Sequence, residues 1–353
     1  MKKQSHLYLF ILAGGSGERF WPLSREKQPK HLLSFFSKKT LLEETLSRVK
    51  RLIPAENLFI LTNAHQKKLI QKKLPSFPNK QIVVEPEKRD TAPAAALATA
   101  IALQKNPKAV VGLLPADHFI KQTSLFQKNI HLAARLAARG EALITLGIPP
   151  TFPATAFGYL KLNSKTVKKG SAYPVTQFLE KPNQKRAINF FKQKNYYWNA
   201  GLFFWRADYF LHEIRRYAPA LARFIQNFPQ RNNVSYLKKH FPLLTKISLD
   251  YALVEKTKRV ITIIAEFDWN DVGSWEALTH YFPADSNNNT LLGPSLALES
   301  SGNIALSQPS QFLVLNQVKN LIVVVTKEAI LITPRSQNHT IKKIMSRLPY
   351  SLR

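Results

Sequence analysis

Leu12-Ala-Gly-Gly-Ser-Gly-Glu-Arg-Phe-Trp-Pro-Leu-Ser-Arg-Glu-Lys-Gln-Pro-Lys30 follows directly on a short apolar run, residues 7–12. Such a run ending in clustered glycines reads as a buried strand feeding a tight loop. In loops of this kind successive backbone N–H groups can turn toward an anion, so the stretch is a candidate phosphate cradle. Spacing rejects two common cradles. A P-loop requires Gly-Lys followed by Ser or Thr, which this stretch lacks. The dinucleotide fingerprint requires a third glycine where Phe20 stands. The loop brings its own cations instead: Arg19 and Arg25 lie within or just after it, and Lys30 follows Pro29. A polyphosphate would meet backbone donors and fixed positive charge together. The structural alternative is a tight turn, which glycine clusters also make.

Beyond the loop, Thr40-Leu-Leu-Glu43 is a capping box opening a helix with apolar positions at Leu42, Leu46 and Val49. Strands at 58–61, 82–84 and 110–114 alternate with helices near 65–74 and from about 93. This βαβα series predicts an α/β fold, a Rossmann-like parallel sheet with helices on both faces and ligands at the carboxyl ends of its strands. Polar chemistry collects at those ends. The third strand delivers Glu85-Pro-Glu-Lys-Arg-Asp-Thr-Ala-Pro93, and the fourth delivers Pro115-Ala-Asp-His118. Glu85 suits a carboxylate accepting from a nucleobase, or a partner for the dipole of the helix beyond Thr91. Asp117 stands where a cation bound to triphosphate needs a hard oxygen ligand, although Asp also serves as a cap or turn residue. His118, with no second nitrogen ligand nearby, reads as an ordinary hydrogen-bonding residue.

From 142 the pattern changes. A strand at 142–148 is followed by segments at 157–160 and 175–179 that read as antiparallel additions. Phe178-Leu-Glu-Lys-Pro182 places a carboxylate and an ammonium side by side, suited to sugar hydroxyls and a phosphate or to a surface ion pair. Neighbouring strand residues face opposite sides unless the backbone turns there. Asn199, inside the apolar run 197–205, needs hydrogen-bond partners: it either pins a loop or binds a polar ligand. Helices are expected at 207–217, 220–228 and 249–256, with a strand at 260–264. Next comes Phe267-Asp-Trp-Asn-Asp-Val-Gly-Ser-Trp275, where Asp271 suits a second oxygen ligand to the cation at Asp117 and the tryptophans suit a core. Residues 283–289 read as a linker. Short strands at 296–298, 304–306, 312–315, 321–325 and 330–332 then predict a small β-helix or β-roll, closed by a helix at about 340–348. The division is therefore a region of residues 1–282 and a C-terminal region of 290–353.

Composition narrows the class. With 353 residues, 45% apolar, the chain can bury one large core or two unequal ones. The absence of cysteine excludes disulfides, thiolate metal sites and a cysteine nucleophile. The 51 Lys and Arg against 22 Asp and Glu leave a charge of +29, but it is spread thinly and lacks the basic-aromatic interleaving of a nucleic-acid module. The start, Met1-Lys2-Lys3 before an apolar run, imitates a signal peptide. Cleavage near Ala13 would remove the strand that presents the glycine loop, so a cytoplasmic protein is expected.

Seven motifs in order resemble the sugar nucleotidyltransferases, specifically the mannose-1-phosphate guanylyltransferases in their short monofunctional form. They are 12–25, Gln28-Pro-Lys30, Glu85-Pro with Arg89-Asp-Thr-Ala-Pro93, Leu114-Pro-Ala-Asp-His118, Phe178-Leu-Glu-Lys-Pro182, Trp198-Asn-Ala-Gly201 and Trp269-Asn-Asp-Val-Gly-Ser-Trp275. The resemblance implies a nucleotidyltransferase domain with a left-handed β-helix behind it, and Mg²⁺-dependent joining of GTP and mannose 1-phosphate into GDP-mannose and pyrophosphate. By position in the motifs, the nucleotide site would comprise Ala13, Gly14, Gly15, Gly17, Arg19, Lys30, Glu85, Thr91, Ala92 and Asp117. Arg19, Lys30 and Asp117 would be catalytic, and Asp117 with Asp271 would hold the metal. Gly158, Glu180, Lys181 and Asn199 would face the sugar phosphate. The expected partners are these two substrates, without specific nucleic acid or membrane, and a homodimer is the candidate assembly. An appended phosphomannose isomerase domain, carried by bifunctional relatives, is not expected. Two departures from the family pattern, His31 for Gln and Ala200 for Ser, bear on which sugar is preferred. Another hexose or heptose 1-phosphate, or another nucleoside triphosphate, is the neighbouring reading. A basic polyanion-binding protein with a decayed site is the reading from a different class.

Overall fold

Strand β1 (Leu7–Leu12) is buried on both sides, with Leu7, Leu9 and Ile11 as inaccessible as Phe10 between them. A strand can be apolar at every position only where both faces of its sheet are covered. In a computed structural model of the chain, β1 lies between β2 (Leu58–Asn63) and β4 (Val110–Pro115), parallel to both. The structure describes residues 6–15, 17–164 and 166–352; Ser16 of the glycine loop and the basic start of the chain lie outside them.

Contacts gather the chain into two compact units. The first comprises residues up to Gly14, Leu46–Ala116 and Ile120–Trp269. Its sheet also contains β3 (Ile82–Glu85), β5 (Leu143–Ile148), β6 (Tyr159–Leu162), β7 (Ala172–Leu179), β8 (Tyr196–Arg206) and β9 (Val260–Ile264), in the order β3-β2-β1-β4-β8-β5-β9-β7-β6. The sheet is mixed rather than parallel: β8 runs antiparallel to both β4 and β5, and β7 antiparallel to β9 and β6. A run buried on both faces reads the same in either direction, so the direction of β8 is decided by the sheet and not by its own pattern. The core on one face joins Tyr8, Phe10, Leu113 and Trp205 to an alanine-rich helix, Thr91–Lys105, and to helices Ala207–Tyr217 and Pro219–Gln226.

The helices are α1 (Leu41–Val49), α2 (Ala64–Lys73), α3 (Thr91–Lys105), α4 (Thr123–Ala137), α5 (Gln184–Lys192), α6 (Ala207–Tyr217), α7 (Pro219–Gln226) and α8 (Asn233–His240). Thr40 and Glu43 form the expected capping box on α1, each side chain taking the other's backbone N–H. Helices α4, α5 and α8 are absent from the sequence expectations. Helix α4 carries a helical period, with Phe126, Ile130, Ala133, Ala134 and Ala137 buried along one face, while α5 and α8 bury only Ala187 and Leu237. The helix expected at 249–256 is a single π-helical stretch, Asp250–Val254.

The second unit comprises Gly15–Thr45, Asp117–Phe119 and Asn270–Arg353. Its strands are β10 (Thr290–Leu292), β11 (Ser295–Leu298), β12 (Ile304–Ser307), β13 (Leu313–Asn316), β14 (Leu321–Val325) and β15 (Ile330–Pro334), followed by α9 (Ile341–Arg347). β10, β12 and β14 form one parallel ladder and β11 with β13 another, so the chain coils between two faces; β15 closes the first ladder antiparallel. Buried Asn303 donates to Asn289 Oδ1 across successive turns of the coil. The coil shares its core with the segment after the glycine loop: Phe20, Trp21, Phe119, Val272 and Trp275 pack with Ile304, Ile322, Val324 and Ile341. The Trp21 indole N–H donates to the Leu352 carbonyl at 2.9 Å, and Arg25 pairs with Glu328 at 2.6 Å. Among the described residues, no helix is long and apolar enough to cross a membrane.

Candidate active site

Lys30 is the centre of the second unit's polar cluster. Only 6% exposed, it sits in a short 3-10 turn after Pro29. Its ammonium donates to Asp117 Oδ2 at 2.7 Å and to the Asp271 backbone carbonyl, also at 2.7 Å. The segments carrying the two aspartates are paired through their backbones: Phe119 N donates to Asn270 O at 2.9 Å, and Asn270 N donates back to Phe119 O at 3.1 Å. Asn270 Oδ1 and Asp271 Oδ1 then accept from the N–H groups of Val272 and Gly273, which fixes the turn.

The two carboxyls are tuned in opposite directions. Burial pushes Asp117 up, but the charge of Lys30, His118 and the Lys30 hydrogen bond outweigh it and leave Asp117 below the usual range. Asp271 is held above its usual range by burial, against the Lys30 charge, with the Asp117 charge adding to the rise and Arg19 opposing it. His31, 3% exposed, is pushed down to about 4 mainly by burial, so it is neutral at physiological pH. Arg19, in the turn Glu18–Phe20, contributes positive potential at Asp271. Asp268, also acidic and nearby in sequence, belongs to the first unit and caps the approach to α4, accepting from the N–H groups of Lys121 and Gln122.

Gly17 holds this arrangement by what it lacks. Its φ is 74°, and a Cβ there would collide with Lys30 Cβ and approach Ser24 Oγ to 2.9 Å. An L-residue in the left-handed region costs about 1–2 kcal/mol. Gly17→Ala is therefore expected to lower the melting temperature. Thermal melts of the wild type and the variant check this.

The first unit gathers the other predicted residues. The Ala13 carbonyl accepts from Thr62 Oγ1 at 2.6 Å, and a Cβ on Gly14 would lie 3.7 Å from Glu85 Oε2. Two strand ends thus meet. Burial, assisted by the Asp90 carboxylate, pushes Glu85 up to about 8. Thr91 Oγ1 accepts from Leu249 N at 2.8 Å and Ala92 N donates to Ile247 O at 3.1 Å, so these two tie the 85–92 loop to the segment entering Asp250.

Gly158, Glu180, Lys181 and Asn199 come together. A Cβ on Gly158 would stand 2.5 Å from Glu180 Oε2, and the Gly158 carbonyl accepts from Asn199 N. Lys181 has a φ of 46°, the turn that lets its ammonium donate to Glu180 Oε1 at 2.6 Å despite the adjacent positions. Burial works against the Lys181 charge, but its bond to Glu180 outweighs that and holds the ammonium above its usual pKa. Asn199 joins two elements: Oδ1 accepts from Thr145 Oγ1 at 2.7 Å, while Nδ2 donates to Asp250 Oδ1 at 3.1 Å. Asp250 is the residue that sequence reasoning missed. Its signal was a lone carboxylate at the head of the apolar run Tyr251-Ala-Leu-Val254, which reads as an ordinary helix start.

Among the described residues, no group of three or more His, Asp or Glu is arranged as a metal cage. A pair of carboxylates suits a hard cation that takes its remaining oxygens from phosphate and water. The donor set fits: Asp271 is a carboxyl whose burial penalises its charge, a penalty that a cation would relieve.

A glycine loop carrying buried Lys30, beside two aspartates on paired segments, is the equipment of phosphoryl chemistry on a nucleotide. The nucleotidyl transferase family profile matches residues 9–288, and the chain belongs to that family. It is similar to the mannose-1-phosphate guanylyltransferases of Escherichia coli, 33% identical over 97% of this chain and 74% of the relative, and of Klebsiella pneumoniae, 32% identical over 97% and 74%. A crystal structure described as mannose-1-phosphate geranyltransferase from Thermus thermophilus superposes with a TM-score of 0.85 at 31% identity, covering 97% of this chain and 99% of that one.

Proposed function

We propose that this protein transfers GMP from GTP to mannose 1-phosphate, releasing pyrophosphate and forming GDP-mannose. The observation that carries the reading is the buried Lys30 ammonium shared between the Asp117 carboxylate and the Asp271 carbonyl. A phosphate oxygen of the sugar phosphate is already ionised at neutral pH, so no enzyme nucleophile is needed. That oxygen attacks the α-phosphorus of GTP in line, the new P–O bond forms, and the α–β bridging P–O bond breaks with its electron pair leaving on pyrophosphate. The protein's work is to align two repelling anions and disperse the developing charge. The N–H groups around Gly14, Gly15 and Gly17, with Arg19, hold the triphosphate, and Lys30 neutralises charge at the α-phosphoryl group. Asp117 and Asp271 would hold a divalent cation, Mg²⁺ in this reading, which would supply charge neutralisation to the phosphate oxygens. Glu180, Lys181 and Asn199 take the sugar phosphate at the backbone of Gly158.

Support comes from the relatives' names and from the placement of these residues within each unit. The test is pyrophosphate release across nucleoside triphosphates and sugar 1-phosphates. Highest kcat/KM for GTP with mannose 1-phosphate is expected. Preference for another pair replaces the substrate assignment, and no turnover with any pair, alongside tight salt-sensitive RNA binding, favours the polyanion-binding alternative.

Glu85 is assigned to the base, with Thr91 and Ala92 framing it. The guanine edge offers two N–H donors, which suit an ionised carboxylate. With Glu85 held up at about 8, the empty site is mostly protonated at pH 7, so guanine binding in the carboxylate form releases a proton. Apparent GTP affinity is expected to rise as pH goes from 6 to 8. Glu85→Gln should flatten that profile and narrow the preference for GTP over ITP, which lacks the 2-amino donor. Calorimetry in buffers of different ionisation enthalpy measures the proton release directly.

The winding of the C-terminal coil is assigned as left-handed, and residues 1–282 and 290–353 as the catalytic and appended regions, in the same proposal. So is a homodimer, supported by the exposed apolar row Leu296, Leu298 and Val314 on the coil. Sedimentation velocity on the wild type and on Leu298→Lys tests the assembly.

A further inference from the structure

We propose that Asp250 is a further substrate-positioning residue of the sugar site, acting with Glu180 as an acid pair that grips hydroxyls of the sugar while Asn199 sets its rotamer. This rests on the nucleotidyltransferase reading above. Four observations lead to it. Asp250 is half-buried at the start of a π-helical stretch, a rare element found mostly at functional sites. Its Oδ1 accepts from Asn199 Nδ2, and the orientation of that amide is fixed by Thr145 Oγ1 and Gly201 N on its other end. The segment leading to Asp250 is tied down through Leu249 N to Thr91 and Ile247 N to Arg89 O. Finally, Glu180 acts on Asp250 electrostatically: burial, then the Glu180 charge, push the Asp250 carboxyl up to about 7.

Glu180 is paired with Lys181, but Asp250 lies beside the Glu180 charge and is penalised by burial, a cost that a ligand donating hydrogen bonds to both carboxyls would relieve. The groups facing Asp250 are Glu180 at the end of β7, Lys181 beside it and Asp90 at the start of α3. Lys181 is engaged with Glu180 and is the group suited to phosphate. A neutral polyol satisfies the rest: each hydroxyl donates to one carboxylate oxygen, and the spare Asn199 amide hydrogen is available to a hydroxyl oxygen. Gly158, without a side chain, lets Glu180 Oε2 pack closely against its backbone, which fixes the carboxyl in place.

The experiment is a set of monodeoxy hexose 1-phosphates assayed with the full chain as wild type, Asp250→Asn and Asp250→Ala. Loss of a hydrogen bond to a charged group is expected to cost the wild type on the order of 10- to 100-fold in kcat/KM at one deoxy position. Each variant should show a similar loss on the parent sugar, no added loss on that one analogue, and an unchanged KM for GTP. A variant penalty that is equal on every analogue, or that appears in KM for GTP, overturns the proposal in favour of a purely structural Asp250. Should Asp250→Ala not fold, the near-isosteric Asp250→Asn carries the comparison. Should neither fold, a wild type indifferent to every single deoxygenation overturns it. A wild type that releases no pyrophosphate with any sugar phosphate instead overturns the nucleotidyltransferase reading on which the proposal stands.

Discussion

Lys30→Ala is expected to lower kcat by about 10²–10³-fold while leaving KM for GTP within a few-fold, because in the proposed mechanism the ammonium acts on charge that grows only as the α-phosphorus is attacked. The environment makes the loss difficult to compensate. Lys30 is buried, and its ammonium is fixed by two acceptors 2.7 Å away. Lys30→Arg should fail almost as completely: the Lys30 Cβ is packed against the Gly17 backbone, and a planar fork does not fit a site built for a compact point charge. Steady-state kinetics with GTP and metal saturating decides this. Full turnover in Lys30→Ala would remove Lys30 from the chemistry.

Asp117→Asn and Asp271→Asn are both expected to lose on the order of 10³-fold in turnover, several kcal/mol of charge stabilisation, with a weakened dependence on added divalent cation. Their effects on stability should have opposite signs. Asp117 is held below its usual range in the fold, so its contribution is present above the unfolded-state pKa and lost as pH falls through the lowered value. Asp117→Asn should therefore melt lower than wild type at pH 7 and converge with it in acid. Asp271 is held above its usual range, so its contribution is present below the unfolded-state value and lost as pH rises through the raised one. Asp271→Asn should melt at or above the wild-type temperature at pH 7. Melts of metal-free protein between pH 4 and 8, paired with activity assays, measure both. Wild-type turnover in either variant would contradict the assignment, as would equal destabilisation by both.

Much of this was legible before any coordinates. The glycine loop after β1, Glu85 at the end of β3 and Asp117 after β4 are each signalled by a change of residue type at the end of an apolar strand, a local pattern set by covalent spacing. The Thr40 and Glu43 capping box is equally local, since both bonds close within four residues. The direction of β8 was not legible, because an apolar run buried on both faces carries no mark of its orientation. Helices α5 and α8 each bury one apolar side chain, so their packing on the rest of the chain is slight even where the sequence is amphipathic. Asp250 escaped because its significance lies in Asn199 and Glu180, 51 and 70 positions earlier in the chain.

The sequence by itself determined which chemistry is available: a phosphate loop with cations, carboxylates and no thiol, strung on alternating strands and helices. Only the tertiary structure decided which of those groups act on one another. It set Lys30 between Asp117 and the Asp271 carbonyl, turned Lys181 back onto Glu180 through a positive φ, and brought Asp250 to Asn199. The reason is physical. Strand and turn signals arise from neighbours a few residues apart, whereas burial, hydrogen-bond partners and the shifts they cause depend on groups that are remote in sequence and adjacent only in the folded chain.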